Sequence, residues 1–184
     1  MGLFARQNKT PLGIYVHVPF CRSKCEYCDF YSVTEHESKL MDSYLQAVCT
    51  HIREAGMLAP EYVVDTVYFG GGTPSYFGAD GMAQILSVIR KSFHVSLTAE
   101  ITFEANPDSV SDKLLKRLRS EGFNRVSLGI QCDNDAICRR SADPTTTTRR
   151  WLRCSASARR ASGIFRWISC TVCRGRRCWP GRRP

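Results

Sequence analysis

Three cysteines in one short segment are the residues of this chain most suited to chemistry. Cys21, Cys25 and Cys28 have the spacing C-x3-C-x2-C. Thiolates are the usual protein ligands of iron–sulfur clusters, and three of them can hold three corners of a four-iron cube. The fourth iron is then open to a small molecule. The spacing predicts a [4Fe-4S] cluster; the alternatives are reduced loop thiols or a zinc site, which more often uses two C-x2-C pairs.

Two more segments place ligand-binding residue types after short apolar runs. The string VYFGGGTPS spans residues 67–75, and its glycines let backbone amides approach a ligand closely. The string EITFEANPD spans residues 100–108, and Glu104 is a charge at the end of its apolar run. A ligand-binding acid and a structural ion pair are both open interpretations of Glu104.

These strings, together with YVHVPF at residues 15–20, resemble the radical S-adenosylmethionine (SAM) superfamily, and within it the oxygen-independent coproporphyrinogen III oxidase group. The resemblance runs from about Gly13 to about Gln131. It implies that the open iron binds the amino and carboxylate groups of SAM, and that one electron cleaves SAM to methionine and a 5′-deoxyadenosyl radical. It implies no acid–base catalytic residue. The positions that it assigns to SAM binding are Tyr15, Gly71, Gly72, Thr73, Glu104 and Gln131; barrel packing is the alternative for Tyr15.

One position separates two branches of this group. The oxidases carry a further cysteine two residues after the third ligand, where this chain has Phe30. The form Cys-Asp-Phe resembles the haem chaperone branch, which implies haem binding, transfer to haem-accepting proteins and an electron donor. The alternative is oxidative decarboxylation of coproporphyrinogen III in porphyrin biosynthesis. Phe20 and Tyr27, beside the cysteines, either shield the cluster or pack within the loop.

Apolar periodicity predicts an α/β fold. Strands are expected at residues 14–18, 65–69, 99–104 and 125–130, and helices at 38–54, 80–93 and 109–121. The family resemblance implies a partial (β/α)6 barrel, here truncated after about four β/α units. The expected divisions are an N-terminal extension (1–12), the barrel core (13–136) and a tail (137–184). The last core strand would then be an unpaired apolar edge, which favours aggregation.

The tail differs in composition from the rest of the chain. Residues 1–136 have a net charge of −3, whereas residues 137–184 contain thirteen Arg, no Lys and one acid, for +12. Read from the third base of the Arg159 codon, permitted wobble choices spell AGFRNISVDLMYGLPGQ, which resembles the family's next helix end and fifth strand. We therefore predict a shifted reading frame, a disordered tail and impaired function. A basic nucleic-acid arm and a zinc knuckle (Cys170, Cys173, Cys178) are the alternatives.

The sequence contains no apolar run of 18 residues and no recognisable secretory signal. Ten cysteines in such a chain favour metal chemistry over disulfides. We therefore expect a cytoplasmic protein without a membrane span or a specific nucleic-acid partner.

Overall fold

The computed structural model describes residues 10–25, 28–34 and 37–129, together with the backbone of residues 166–170. Strands and helices alternate through this part of the chain and build one five-stranded parallel sheet in the order β1-β2-β3-β4-β5. Strand order therefore follows chain order, as in a β/α barrel, whereas a doubly wound sheet reverses it. The α/β prediction is confirmed. The elements are β1 (Thr10–Val18), α1 (Ser38–Met57), β2 (Tyr62–Gly71), α2 (Pro74–Phe77), α3 (Ala79–Ser92), β3 (His94–Ala105), α4 (Asp112–Ser120), β4 (Arg125–Gly129) and β5 (Arg166–Cys170).

Several elements extend beyond the ranges predicted from the apolar pattern. β1 begins at Thr10, so the last three residues of the expected N-terminal extension belong to the sheet. β3 begins at His94, and its first residues include the fully exposed Leu97. The side chains at these strand ends do not alternate between buried and exposed positions, so the apolar periodicity did not detect them. The four-residue helix α2 was also missed, because a single turn is too short to show a 3.6-residue period.

β5 contradicts two expectations about the tail. It pairs in parallel with β4 from Arg125 opposite Arg166 to Gly129 opposite Cys170, so β4 is not an unpaired edge strand. These five tail residues form a strand where disorder was expected. The rest of the tail lies outside the described residues. The predicted frame shift concerns the gene and stays a prediction.

The two faces of the sheet differ in chemistry. Successive side chains of a strand point to opposite faces. One set is apolar, fully or almost fully buried, and packs in the core with α3 and α4; it comprises Val16, Val18, Val67, Phe69, Ile101, Phe103, Val126 and Leu128. The alternate set is mostly polar and comprises Tyr15, His17, Thr66, Tyr68, Glu100, Thr102, Glu104, Arg125 and Ser127. The second face therefore offers hydrogen-bonding groups in place of a second apolar core.

The carboxyl ends of the parallel strands share one edge of the sheet. The segments after β1, β2 and β3 meet there, and they carry the motifs found in the sequence. The amide of Gly72 donates to the Val18 carbonyl at 2.8 Å, and the amide of Thr73 donates to the Phe20 carbonyl at 2.8 Å. These bonds fix the glycine segment against the start of the cysteine segment. Within the described residues, no helix has the length and apolar character needed to cross a bilayer.

Candidate functional site

The cysteines lie in a loop whose two ends are joined. We call residues 20–33 the cysteine loop. Phe20 and Val33 form an isolated parallel bridge. The Cys21 amide donates to the Val33 carbonyl at 3.0 Å, and the Val33 amide donates to the Pro19 carbonyl at 2.8 Å. Inside the loop, the Cys28 amide donates to the Cys25 carbonyl at 3.1 Å. Main-chain bonds therefore hold the base of the loop at the carboxyl end of β1.

The three thiols suit a cluster by their chemistry. Cys21, Cys25 and Cys28 are half-buried, and none is in a disulfide. In the part of the chain that is described, no three Cys, His, Asp or Glu side chains are grouped so as to hold a metal ion as they stand. The donor set nevertheless fits a [4Fe-4S] cluster, because it consists of three soft ligands on one closed loop. An ion pair at 3.6 Å between Arg22 and Asp108, whose side chain is 8% exposed, ties this loop to the segment after β3.

The backbone amides of the glycine segment are already bonded within the protein. Besides the amides of Gly72 and Thr73, the Gly71 amide donates to Glu104 Oε2 at 3.2 Å. The glycines therefore serve close internal packing. A Cβ on Gly71, whose φ is +108°, would lie 2.5 Å from His17 Cε1, and a Cβ on Gly72 would lie 2.8 Å from the Phe20 carbonyl oxygen. The assignment of Gly71, Gly72 and Thr73 to SAM binding stays a prediction.

Glu104 is held by two neutral donors. The Tyr68 hydroxyl donates to Oε1 at 2.7 Å, and the Gly71 amide donates to Oε2. Among the ion pairs of the described residues, none includes Glu104, so the ion-pair interpretation is not supported. The carboxylate is thus fixed at the carboxyl edge, and its partners among the described residues are neutral donors.

Tyr15 and His17 form a hydrogen-bonded pair whose proton positions follow from its partners. His17 Nε2 lies 3.0 Å from the Tyr31 carbonyl oxygen, which only accepts, so Nε2 donates. In the neutral imidazole Nδ1 is then an acceptor, and the Tyr15 hydroxyl donates to it at 3.1 Å. The partial burial of Tyr15, and to a lesser degree the charge of Glu104, raise the pKa of its hydroxyl above the ordinary value. Tyr15 is therefore a neutral phenol at physiological pH.

An aromatic surface borders Glu104. The rings of Tyr15 and Tyr68 stack with centroids 6.2 Å apart, and the His17 and Tyr31 rings lie 6.4 Å apart. Tyr15 and Tyr31 are mostly exposed. His17 and Tyr68 were not predicted as part of this site, although strand alternation places them beside Tyr15 and Glu104. A fixed carboxylate beside open aromatic rings suits a polar ligand that carries a cationic group.

Thr73 connects the glycine segment to the first cysteine. Its side chain is buried, and Oγ1 lies 3.6 Å from Cys21 Sγ and 3.4 Å from Asn106 Nδ2. Six of the nine predicted ligand residues thus lie in segments bonded to one another at one edge: Cys21, Tyr15, Gly71, Gly72, Thr73 and Glu104. Cys25 and Cys28 lie in the same cysteine loop, whereas Gln131 lies outside the described residues.

The remaining residues near the cysteines divide between packing and positions that are not described. Phe20 is fully buried; its ring stacks on Phe77 at 5.5 Å and meets the edge of Tyr44 at 5.2 Å. This favours the packing interpretation for Phe20. Tyr27 lies outside the described residues. Cys49 is a buried residue of α1, and burial raises the pKa of its thiol.

Comparison with known proteins extends these observations. A family model of the radical SAM superfamily matches residues 15–175, beyond the limit of the sequence motifs and through β5. The oxygen-independent coproporphyrinogen III oxidase of Salmonella typhimurium is 35% identical over 135 residues, which is 73% of this chain and 30% of that protein. The heme chaperone HemW of Mycobacterium tuberculosis is 39% identical over 123 residues, which is 66% of this chain and 32% of that protein.

A solved structure of coproporphyrinogen III oxidase (HemN) from Escherichia coli, described as a radical SAM enzyme, has the same fold. It matches with a TM-score of 0.80 and 28% identity, and the match covers 90% of this chain and 38% of that chain. The chain therefore spans about a third of the length of the curated relatives it matches. With the family model matching most of the sequence, the chain belongs to the radical SAM superfamily.

Proposed function

We propose that the chain binds a [4Fe-4S] cluster through Cys21, Cys25 and Cys28, and SAM at the adjoining carboxyl edge. The observation that carries this proposal is the direct link between the two sites. Thr73, which follows the glycines, contacts Cys21 at 3.6 Å, and Gly71 is bonded to Glu104. A cofactor bound at the cysteine loop therefore adjoins the carboxylate that we assign to SAM.

The chain's own residues supply binding and orientation. A reduced cluster held by Cys21, Cys25 and Cys28 would supply the electron that cleaves the carbon–sulfur bond of SAM. Glu104 offers a negative charge to the cationic groups of SAM, and Tyr68 and the Gly71 amide hold that carboxylate in place. Tyr15 adds an aromatic face and a hydroxyl that remains protonated. Gln131 completes the proposed set of SAM contacts on the family resemblance alone.

Within the family we propose the haem chaperone branch. Phe30 stands where the oxidases carry a further cysteine, and its side chain is 64% exposed, so it supplies apolar surface and no fourth loop thiol. Haem, haem-accepting proteins and an electron donor would be the partners of the whole protein. The alternative is coproporphyrinogen III oxidation. Relatives with both names match at similar identity, 35% and 39%. The match covers about a third of either relative, so both activities are proposals about the whole protein.

Anaerobic reconstitution with iron and sulfide tests the cluster. We expect about four irons per chain in the parent and a large loss in Cys21→Ser, Cys25→Ser or Cys28→Ser. Cys49→Ser is the matched control, because Cys49 lies in α1 outside the loop, and it should keep its iron. Full iron content in all three loop variants would refute the assignment of the ligands.

Equilibrium dialysis with labelled SAM tests the second site on the reconstituted chain. Glu104→Gln keeps the size of the side chain and removes its charge, so SAM binding should weaken about tenfold, as expected for a charged hydrogen-bonded contact. Glu100→Gln on the same strand is the control. Two assays then separate the branches: a haemin titration measures haem binding, and a second assay measures coproporphyrinogen III turnover. Haem binding without turnover supports the chaperone, and turnover supports the oxidase.

A further inference from the structure

The hydroxyl of Thr73 lies between an amide donor and a cysteine sulfur. Asn106 Nδ2 lies 3.4 Å from Thr73 Oγ1, and Cys21 Sγ lies 3.6 Å from the same oxygen. Thr73 is only 7% exposed. Solvent therefore does not compete strongly for this hydroxyl, and the direction of its proton is decided by its two protein partners.

The chemistry of its two partners decides the direction of the bond from Thr73 to sulfur. The side-chain amide nitrogen of Asn106 only donates, so Thr73 Oγ1 accepts the bond from Asn106. A cysteine that binds iron is a thiolate, which only accepts, so the Thr73 hydroxyl then donates its proton to Cys21 Sγ. The main chain of Thr73 is bonded elsewhere, since its amide donates to the Phe20 carbonyl and its carbonyl accepts from the Tyr76 amide, both at 2.8 Å. Backbone bonds thus hold Thr73 on both sides.

Asn106 is itself held by a local turn. The main-chain amide of Asn106 donates to Ser109 Oγ at 3.2 Å, and the Ser109 hydroxyl donates to the main-chain carbonyl of Asn106 at 2.9 Å. Pro107 follows it and favours an extended backbone at Asn106. The Ser109 hydroxyl also contacts that of Ser75 in α2. The side-chain amide of Asn106 therefore reaches Thr73 from a turn that is closed by its own hydrogen bonds.

We propose that Thr73 is a positioning residue that donates an O–H···S hydrogen bond to Cys21, oriented by Asn106, and thereby raises the reduction potential of a cluster bound there. The inference rests on the proposed function. Reduction adds negative charge to the cluster and its thiolates, so a donor aimed at a ligand sulfur stabilises the reduced form more than the oxidised form. This gives Asn106 a role through Thr73 that needs no contact with a ligand.

The test is a redox titration of the reconstituted chain without SAM, followed by electron paramagnetic resonance. Thr73→Val removes the hydroxyl, and Asn106→Asp replaces the donor with a carboxylate, which accepts the Thr73 proton and turns it away from Cys21. Both variants should lower the midpoint potential. We expect about a tenfold lower ratio of reduced to oxidised cluster at a fixed potential, which is 59 mV for a one-electron couple. Thr73→Ser should retain the parent potential.

Thr102→Val is the matched control, since Thr102 is a buried threonine of β3 bonded to Glu100 and Arg125 and not to the cysteine loop. Unchanged potentials in Thr73→Val and Asn106→Asp, with a full cluster, would overturn this inference alone. If Thr73→Val loses its cluster, the midpoint potential of Asn106→Asp is the test: a lower value supports the inference and an unchanged value overturns it. A parent chain that forms no cluster overturns the proposed function and this inference with it.

Discussion

Two glycines with nearly the same positive φ allow a sharp test of the site's packing. Gly71 has φ +108° and Gly78 has φ +103°. A Cβ on Gly78 would meet nothing within 4 Å, whereas a Cβ on Gly71 would lie 2.5 Å and 2.6 Å from two atoms of the His17 ring. Substitution by Ala therefore imposes backbone strain at both positions and a collision at one.

The magnitude of each effect follows from these contacts. Placing a residue with a Cβ in such a positive-φ conformation lowers the unfolding free energy by about 2 kcal/mol, within the usual range for strained backbone. In Gly71→Ala the His17 ring must also move, and both of its nitrogens are hydrogen-bonded, to Tyr15 and to the Tyr31 carbonyl. Each such bond contributes about 1 kcal/mol. Gly71→Ala should therefore destabilise the fold by about 4 kcal/mol, and Gly78→Ala by about 2 kcal/mol.

Urea unfolding followed by circular dichroism measures both free energies. A His17→Ala background completes the comparison, because Gly71→Ala should there lose the collision and cost about as much as Gly78→Ala. Equal destabilisation by the two glycine substitutions in the parent would refute the reasoning. So would a Gly71→Ala effect that is unchanged when His17 is absent.

Two further predictions concern buried hydrogen bonds. Burial, then the nearby Cys49 and Tyr15, raise the pKa of Tyr44 well above 10.0, and its hydroxyl donates to the His17 carbonyl at 2.7 Å. Because the pKa of Tyr44 is higher in the folded than in the unfolded state, its contribution to the unfolding free energy is complete below pH 10 and is lost as the pH rises further. Tyr44→Phe should therefore reduce the fall in unfolding free energy that urea titrations measure above pH 10. An unchanged fall would contradict the role of the Tyr44 hydroxyl. Asn124 accepts from the Ile101 amide and donates to the Ala99 carbonyl, both at 2.8 Å, so Asn124→Ala should lower the unfolding free energy by about 2 kcal/mol. Asn124→Asp, which keeps the acceptor, should lose about half as much; equal losses would count against the bond that Asn124 accepts from the Ile101 amide.

Local patterns predicted the elements that bury one clear face. The apolar residues of α3 and α4 recur at helical spacing, and those of β2 and β4 run through the middle of each strand, so periodicity located all four. The exposed starts of β1 and β3 lack that signal. β5 was not predicted as a strand. It pairs with β4, which is distant in the chain, and the Arg- and Cys-rich composition of the tail contains no local strand pattern.

The sequence by itself was enough to predict the chemistry that we propose for this protein. The types and spacing of Cys21, Cys25 and Cys28 are enough to predict a cluster loop, and the strings around Gly71 and Glu104 are enough to predict the family, because both are local in the chain. The closed base of the cysteine loop, the bonds of the glycine amides and the contact between Thr73 and Cys21 were decided only by the tertiary structure. The bond from Gly71 to Glu104 and the contact of Thr73 with Cys21 join residues 33 and 52 positions apart in the chain, and parallel strands bring such segments together at one edge only when the sheet forms.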